Sequence, residues 1–281
     1  MNVFEVLKKG TEILKVNNID DYDFDAFCLL EEAFSLTRND YFMKRFEVAD
    51  EEKVNHFLKY IDRRVSGEPL QYILGKWSFV DCEFYVGPGV LIPRSDTEIL
   101  VETAIDYIKN NDVKIVFDLC AGSGCVGISV ASVFPDIQVY CVELSDVAFS
   151  YLEKNIILNN VKNVKALKGD INKICDEVDM GNIDVLLSNP PYIITSEIES
   201  LSREVKKEPY MALDGGEDGF NFYDIILERW LFSMKRGSFA AFECGETQAP
   251  VLEKKFRTVS DDIHIYNDLN GIQRVVSLVI S

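Results

Sequence analysis

The sequence predicts an α/β protein, a doubly wound and mostly parallel sheet preceded by a small helical bundle. Three observations carry that expectation. From Ser95 onward, short branched apolar runs alternate with stretches of helical period. Residues 1–75 show helical periodicity with no intervening strand pattern. Between them, residues 76–92 turn aromatic and β-branched and end on Gly87-Pro88-Gly89, a break that reads as a linker. The expected division is therefore a helical domain over 1–75, a β-hairpin linker over 76–92 and an α/β domain over 93–281.

In the first part, Val3, Val6, Leu7, Ile13 and Leu14 form one apolar stripe, and Phe24, Phe27, Leu30, Ala33 and Phe34 a second. A third, Val54, Phe57, Leu58, Ile61 and Val65, follows Asp50-Glu51-Glu52, acids that suit a helix N-terminus. Trp77–Val80 and Glu83–Val86 flank Asp81-Cys82 as the two arms of a hairpin. Ser95-Asp96-Thr97-Glu98 offers a capping box for a helix running to Asn110. Strands are expected at 115–119, 139–142, 164–167, 183–187, 238–243, 264–266 and 275–279, with the last able to pair antiparallel at an edge. Helices fit at 126–134, 148–158, 222–235 and 251–256.

The formal charge is −18, with ten basic against fifteen acidic residues in 1–75 and nineteen against thirty-two beyond. Both parts are acidic, which disfavours a broad nucleic-acid face and favours a basic protein or peptide as partner. Seven scattered cysteines, with no Cys-x-x-Cys pair, read as reduced thiols of a cytoplasmic protein. No apolar run approaches the ~20 residues of a membrane span. His56 and His264 are the only histidines, and no third ligand stands at metal spacing, so no metal is expected.

Ser188-Asn189-Pro190-Pro191-Tyr192 follows the buried-strand run Ile183–Leu187. Two prolines end the backbone ladder, so the carbonyls of Asn189 and Pro190 are left to accept from a ligand. With the Asn189 amide and the flat face of Tyr192, the stretch could hold a planar NH2 group. Taken alone it could equally be a turn.

The preceding strands add weight. Val116-Phe117-Asp118-Leu119 runs into Cys120-Ala121-Gly122-Ser123-Gly124, a glycine turn before a helix, at the strand edge where open α/β folds bind ligands. Glu143, about 20 residues on, can accept from ribose hydroxyls. Asp170 could accept from an adenine amine while Ile171 packs on the ring. By spacing alone, Gly127 keeps a nicotinamide cofactor possible.

Asp118, the Gly122/Gly124 turn, Glu143, Asp170 and Asn-Pro-Pro-Tyr fall at the ends of four consecutive strands. In this constellation the chain resembles class I S-adenosylmethionine-dependent methyltransferases acting on planar NH2 groups. Arg64–Gly75, Val90–Glu98, Glu208–Gly219 and Asp268–Gly271 are similar to the HemK/PrmC family, protein-(glutamine-N5) methyltransferases of peptide-chain release factors. The resemblance runs from about residue 60 to the end.

It implies a Rossmann-like seven-stranded sheet and S-adenosyl-L-methionine as donor, with S-adenosyl-L-homocysteine as product. It further implies methylation of the glutamine in a Gly-Gly-Gln motif, by a monomer that contacts no nucleic acid directly. The implied cofactor residues are Asp118, Cys120, Ala121, Gly122, Ser123, Gly124, Glu143, Asp170, Ile171 and Asn189. Asn189, Pro190 and Tyr192 would act on the amide, with Pro191 and Arg94 also against the substrate. Arg94 could instead pair with Asp96 or Glu98, and 214–219 could be a lid or a turn. Family members carry Gly-Thr/Ser at the positions of Cys120-Ala121, and Asp where Glu143 stands. The competing readings are an adenine-N6 methyltransferase, a nicotinamide-dependent oxidoreductase and a non-catalytic binding module.

Overall fold

The structure, a computed structural model, describes residues 1–281. The chain forms two compact units, residues 1–76 with 202–207, and residues 77–201 with 208–281.

The first unit holds α1 (Val3–Val16), α2 (Tyr22–Phe34), α3 (Arg38–Lys44), α4 (Glu51–Val65) and α5 (Leu70–Leu74). A capping box opens α1, in which Asn2 Oδ1 accepts from the Glu5 N–H at 2.8 Å and Glu5 Oε2 from the Asn2 N–H at 2.9 Å. Asp50 caps α4 through the Lys53 N–H. Val6, Leu14, Leu29, Leu30, Phe57 and Ile61 form its core. Phe24 departs from the expected stripe and is exposed. The inward position one residue on belongs to Asp25, which pairs with buried Arg64 at 2.6 Å. Arg64 also binds Glu204 at 2.7 Å, which ties 202–207 into this unit. A pairing so distant in sequence leaves no trace in local periodicity.

The second unit opens on the hairpin β1 (Lys76–Phe79) and β2 (Cys82–Tyr85). It continues α6 (Glu98–Asn110), β3 (Ile115–Leu119), α7 (Cys125–Val133), β4 (Gln138–Glu143), α8 (Asp146–Leu158) and β5 (Val164–Lys168). Next come α9 (Ile171–Ile174), β6 (Val185–Ser188), α10 (Asn221–Arg229), β7 (Phe239–Glu243), α11 (Ala249–Phe256), β8 (Asp262–Asn267) and β9 (Gln273–Val279). The seven-stranded sheet runs β5-β4-β3-β6-β7-β9-β8, parallel through β7, with β9 and β8 antiparallel at one edge. Strand order reverses between β3 and β6, so the carboxyl ends of those strands open a crevice. Helices cover both faces over two apolar layers.

The hairpin is more than a linker. Phe79, Phe84 and Val86 are buried in the layer that includes Leu100, Val116 and Ile128. Two asparagines one turn apart, Asn155 on α8 and Asn159 capping its end, bind β2 as a neighbouring strand would. Asn155 exchanges hydrogen bonds with the Tyr85 backbone at 2.7 and 3.2 Å, and Asn159 with that of Glu83 at 3.2 and 2.8 Å. The capping box expected at Ser95 also does not form. Glu98 Oε1 accepts instead from the Val80 N–H at 3.2 Å, across to the hairpin. No helix is long and apolar enough to cross a membrane.

Candidate functional site

A cavity of about 960 Å³, counting its open mouth, lies at the carboxyl ends of β3, β4, β5 and β6. Its lining includes Asp118, Cys120, Ala121, Gly122, Ser123, Glu143, Asp170, Ile171, Asn189, Pro191 and Arg94, so the structure gathers most of the expected residues in one place. Gly124, Pro190 and Tyr192 lie outside the lining. Gly89–Pro93, Thr97, Pro209, Met211 and Ala212 also line it, from stretches quoted in the sequence for their resemblance or their local structure and not as site residues.

The floor is the turn between β3 and α7. Cys120 takes φ +58°, the left-handed conformation that glycine adopts without strain. Gly124, at φ +82°, could not carry a Cβ without meeting Leu152 and Ile128. Buried Asp118 accepts from the Gly127 N–H at 2.9 Å and so fastens the first turn of α7. Burial pushes its carboxyl up to about 7, opposed by that N–H and reinforced by Glu143.

Glu143 ends β4 with both oxygens engaged, Oε2 by the Gly122 N–H at 2.8 Å and Oε1 by the Ser145 N–H at 2.6 Å. Burial also raises this carboxyl, against the pull of those amides. Asp170 caps α9 through the Asn172 N–H at 2.9 Å, while Ile171 joins the apolar layer beneath. Asn155 reaches under the turn and donates to the Ser123 carbonyl at 2.9 Å.

On β6, Ser188 Oγ donates to the Leu119 carbonyl at 2.7 Å and locks the tips of β3 and β6 together. Beyond it, neither the Asn189 nor the Pro190 carbonyl accepts a protein hydrogen bond. Asn189 Nδ2 donates to Thr97 Oγ1 at 3.2 Å, which leaves Oδ1 free to accept. The Tyr192 hydroxyl donates to Glu243 Oε1 at 3.2 Å. Burial, with Glu243 opposite, raises the Tyr192 phenol, so it remains a donor.

The segment after Tyr192 is fastened to the glycine-rich 213–219 stretch. Ile193 N–H donates to the Leu213 carbonyl, Gly215 N–H to that of Ile193, and Thr195 N–H to that of Gly216. Gln248 Nε2 bridges the carbonyls of Tyr192 and Gly219 at 3.0 and 3.1 Å. This stretch is pinned, which is not the state of a free lid.

Arg94 pairs with Glu208, whose side chain is buried and also accepts from the Ile92 N–H at 3.0 Å. Neither Asp96 nor Glu98 is its partner, since Asp96 pairs with Arg274 at 3.1 Å and Glu98 with the hairpin. Glu243 and Thr97 were missed at the sequence level. The signal for Glu243 was there, because a lone acid ending the apolar strand 239–242 repeats the pattern of Glu143.

Comparison with known proteins fits this geometry. Residues 5–75 match the family model described as PrmC N-terminal domain, and residues 95–209 that of the methyltransferase small domain. The release factor glutamine methyltransferase of Clostridium botulinum is 36% identical over 282 residues, covering 97% of each chain. That of Thermodesulfovibrio yellowstonii is 37% identical over 232 residues, covering 81% of this chain and 82% of the relative. The hMettl16 catalytic domain, solved with the MAT2A 3′UTR hairpin 1, has a TM-score of 0.57 at 13% identity over 90% of each chain, a likeness of fold alone. On sequence, by identity over nearly the whole length of both chains, this protein belongs to the release factor glutamine methyltransferase family.

Proposed function

We propose that the chain methylates the side-chain amide nitrogen, N5, of the glutamine in a Gly-Gly-Gln segment of peptide-chain release factors, with S-adenosylmethionine as donor. One observation carries the reading. The Asn189 carbonyl and Oδ1 accept nothing within the protein, at a residue that lines a cavity able to take the donor, and the carbonyl of Pro190 beside it is likewise unpartnered.

The residues present fit that donor. The cavity gathers the strand-end acids and the glycine turn in one lining. Glu143 sits where a ribose would be gripped, and the Asp170–Ile171 pair offers a carboxylate beside an apolar face for adenine. Buried Asp118 and Glu143, both raised by desolvation, would gain from a cationic ligand nearby. When bound, the sulfonium supplies an activated methyl group and its own leaving group.

The chain's work is then to bind and orient. Asn189 Oδ1 and the Pro190 carbonyl accept the two amide hydrogens and fix the nitrogen lone pair toward the donor. Those hydrogen bonds strengthen as the nitrogen gains positive charge, which favours the transition state over the ground state. Tyr192 and Pro191 bound the amide plane, and Arg94 orients the entering peptide. No strong base is required, because the proton becomes acidic once the nitrogen is alkylated.

The net charge of −18 runs against a phosphate backbone as substrate. We place the chain in the cytoplasm on its seven free cysteines and expect it to act as a monomer. Replacing Asn189 with Ala tests the reading. Methyl transfer should be lost while the cofactor dissociation constant stays within about twofold. Near-normal transfer by that variant would show the assignment to be wrong.

A further inference from the structure

A second, open groove shares a turn with the cavity. Arg94 and Thr97 line the cavity, whereas Ser95, Asp96 and Glu98 line the groove. One of its walls is α6 and the other is β8, the last strand of the sheet. Between them β7 and β9 contribute Phe239, Ser277 and Val279. No lysine or arginine lines it.

Its walls are acidic. Glu98, Glu102 and Asp106 follow one another a helical turn apart and make a single stripe on α6. Like charges at that spacing weaken a helix slightly, so helix stability does not account for them. Glu98 accepts from the Val80 N–H, but Glu102 and Asp106 are exposed and pair with no cation. Across the groove Asp262 is exposed too, its side chain 3.0 Å from His264 Nε2. At the end nearest the cavity Arg274 is already shared between Asp96 and Asp268, at 3.1 Å each. No three of these groups converge as a metal ligand set would.

The floor supplies an independent observation. Ser277 alternates with Val275 and Val279 on β9, and so points with them to the face of the sheet that α6 covers. It is 1% exposed, and its hydroxyl has no hydrogen-bond partner. Buried hydroxyls are nearly always matched, so an unmatched one on a groove floor marks a place for a polar group from outside. Around it runs an apolar strip of Ile99, Val279 and Tyr107, whose ring stacks on Phe239 at 4.2 Å between centroids.

We propose that this groove docks an extended segment rich in Lys and Arg, part of the same protein whose glutamine enters the cavity. The inference rests on the function proposed above. Long cationic side chains lay their methylene stems on Ile99, Tyr107 and Val279 while their heads reach Glu102, Asp106 and Asp262. The Ser277 hydroxyl then gains its partner from the segment. Because residues 94–98 border both places, the substrate chain passes from one to the other along the surface. Such docking holds ground state and transition state alike, so it acts on KM and leaves kcat in place.

The test uses the full chain carrying Glu102→Gln with Asp106→Asn. Its control carries Glu153→Gln with Glu228→Gln, which removes two exposed charges outside the groove. With a purified release factor, the groove variant should raise KM about fivefold and keep kcat within about twofold, while the control leaves both near wild type. An unchanged KM in the groove variant, or an equal rise in the control, overturns the proposal. A second readout needs no methylation. Of the two histidines, only His264 lies in the groove. In protein labelled with 15N-histidine, a pentalysine peptide should shift the His264 ring signals saturably, leave those of His56 in place, and bind the groove variant about fivefold more weakly. His264 signals unmoved by the peptide overturn the proposal whether or not a release factor is methylated. Absence of methylation by the wild type would separately defeat the functional reading.

Discussion

The side-chain amide of Asn155, on α8, donates to the Ser123 carbonyl in the glycine turn at 2.9 Å and to the Tyr85 carbonyl at 3.2 Å. One buried side chain thus joins the hairpin to the floor of the cavity. Replacement by Ala removes the side-chain partner of the buried Ser123 carbonyl and of the part-buried Tyr85 N–H. The expected cost is about 2–4 kcal/mol of stability, read by chemical denaturation. Cofactor affinity should fall with it, because the turn loses its brace.

Asp118 makes stability depend on pH. Its carboxyl is raised from 3.8 to about 7, chiefly by burial, so between those values the folded chain holds a proton that the unfolded chain releases. Stability should therefore decline as pH rises through that window and level off above about 7. Asp118→Asn keeps an acceptor for Gly127 and removes the charge. The difference in melting temperature between variant and wild type should move in favour of the variant as pH rises from 5 to 8. A difference independent of pH would contradict the assignment.

Cys120 sits at φ +58°, the conformation that glycine adopts without strain. Relief of the left-handed strain in Cys120→Gly is worth about 1 kcal/mol, offset in part by greater freedom of the unfolded chain. Cys120→Val should destabilise by about 2 kcal/mol, since a branched side chain tolerates that conformation poorly. Melting curves of the two variants should fall on opposite sides of the wild type, with methyl transfer kept in the glycine variant.

Most of the sheet was legible because β3, β4, β6, β7 and β9 are mostly apolar runs, and the two edge strands, β5 and β8, keep enough alternation to be found. The cavity acids were legible for the same reason, as polar residues where apolar strands stop. Contacts made by side chains across the chain were not. Asn155 and Asn159 act as a strand from the last turn and cap of a helix, and no periodicity marks them. Arg64 reaches Glu204 over a sequence distance that no local pattern encodes. Glu243 had a visible signal, yet its bond from the Tyr192 hydroxyl is one that only the fold supplies. Pro190 and Tyr192 were expected against the ligand, and the structure sets them just outside the cavity lining, with Asn189 and Pro191 at its edge.

The central claim is that the acceptor is a glutamine amide. Incubation with methyl-labelled S-adenosylmethionine and purified release factor, followed by peptide mapping, tests it most directly. The account predicts label on the side-chain nitrogen of one glutamine, in the Gly-Gly-Gln segment. Label confined to nucleic acid, or to another side chain of the release factor, would contradict it.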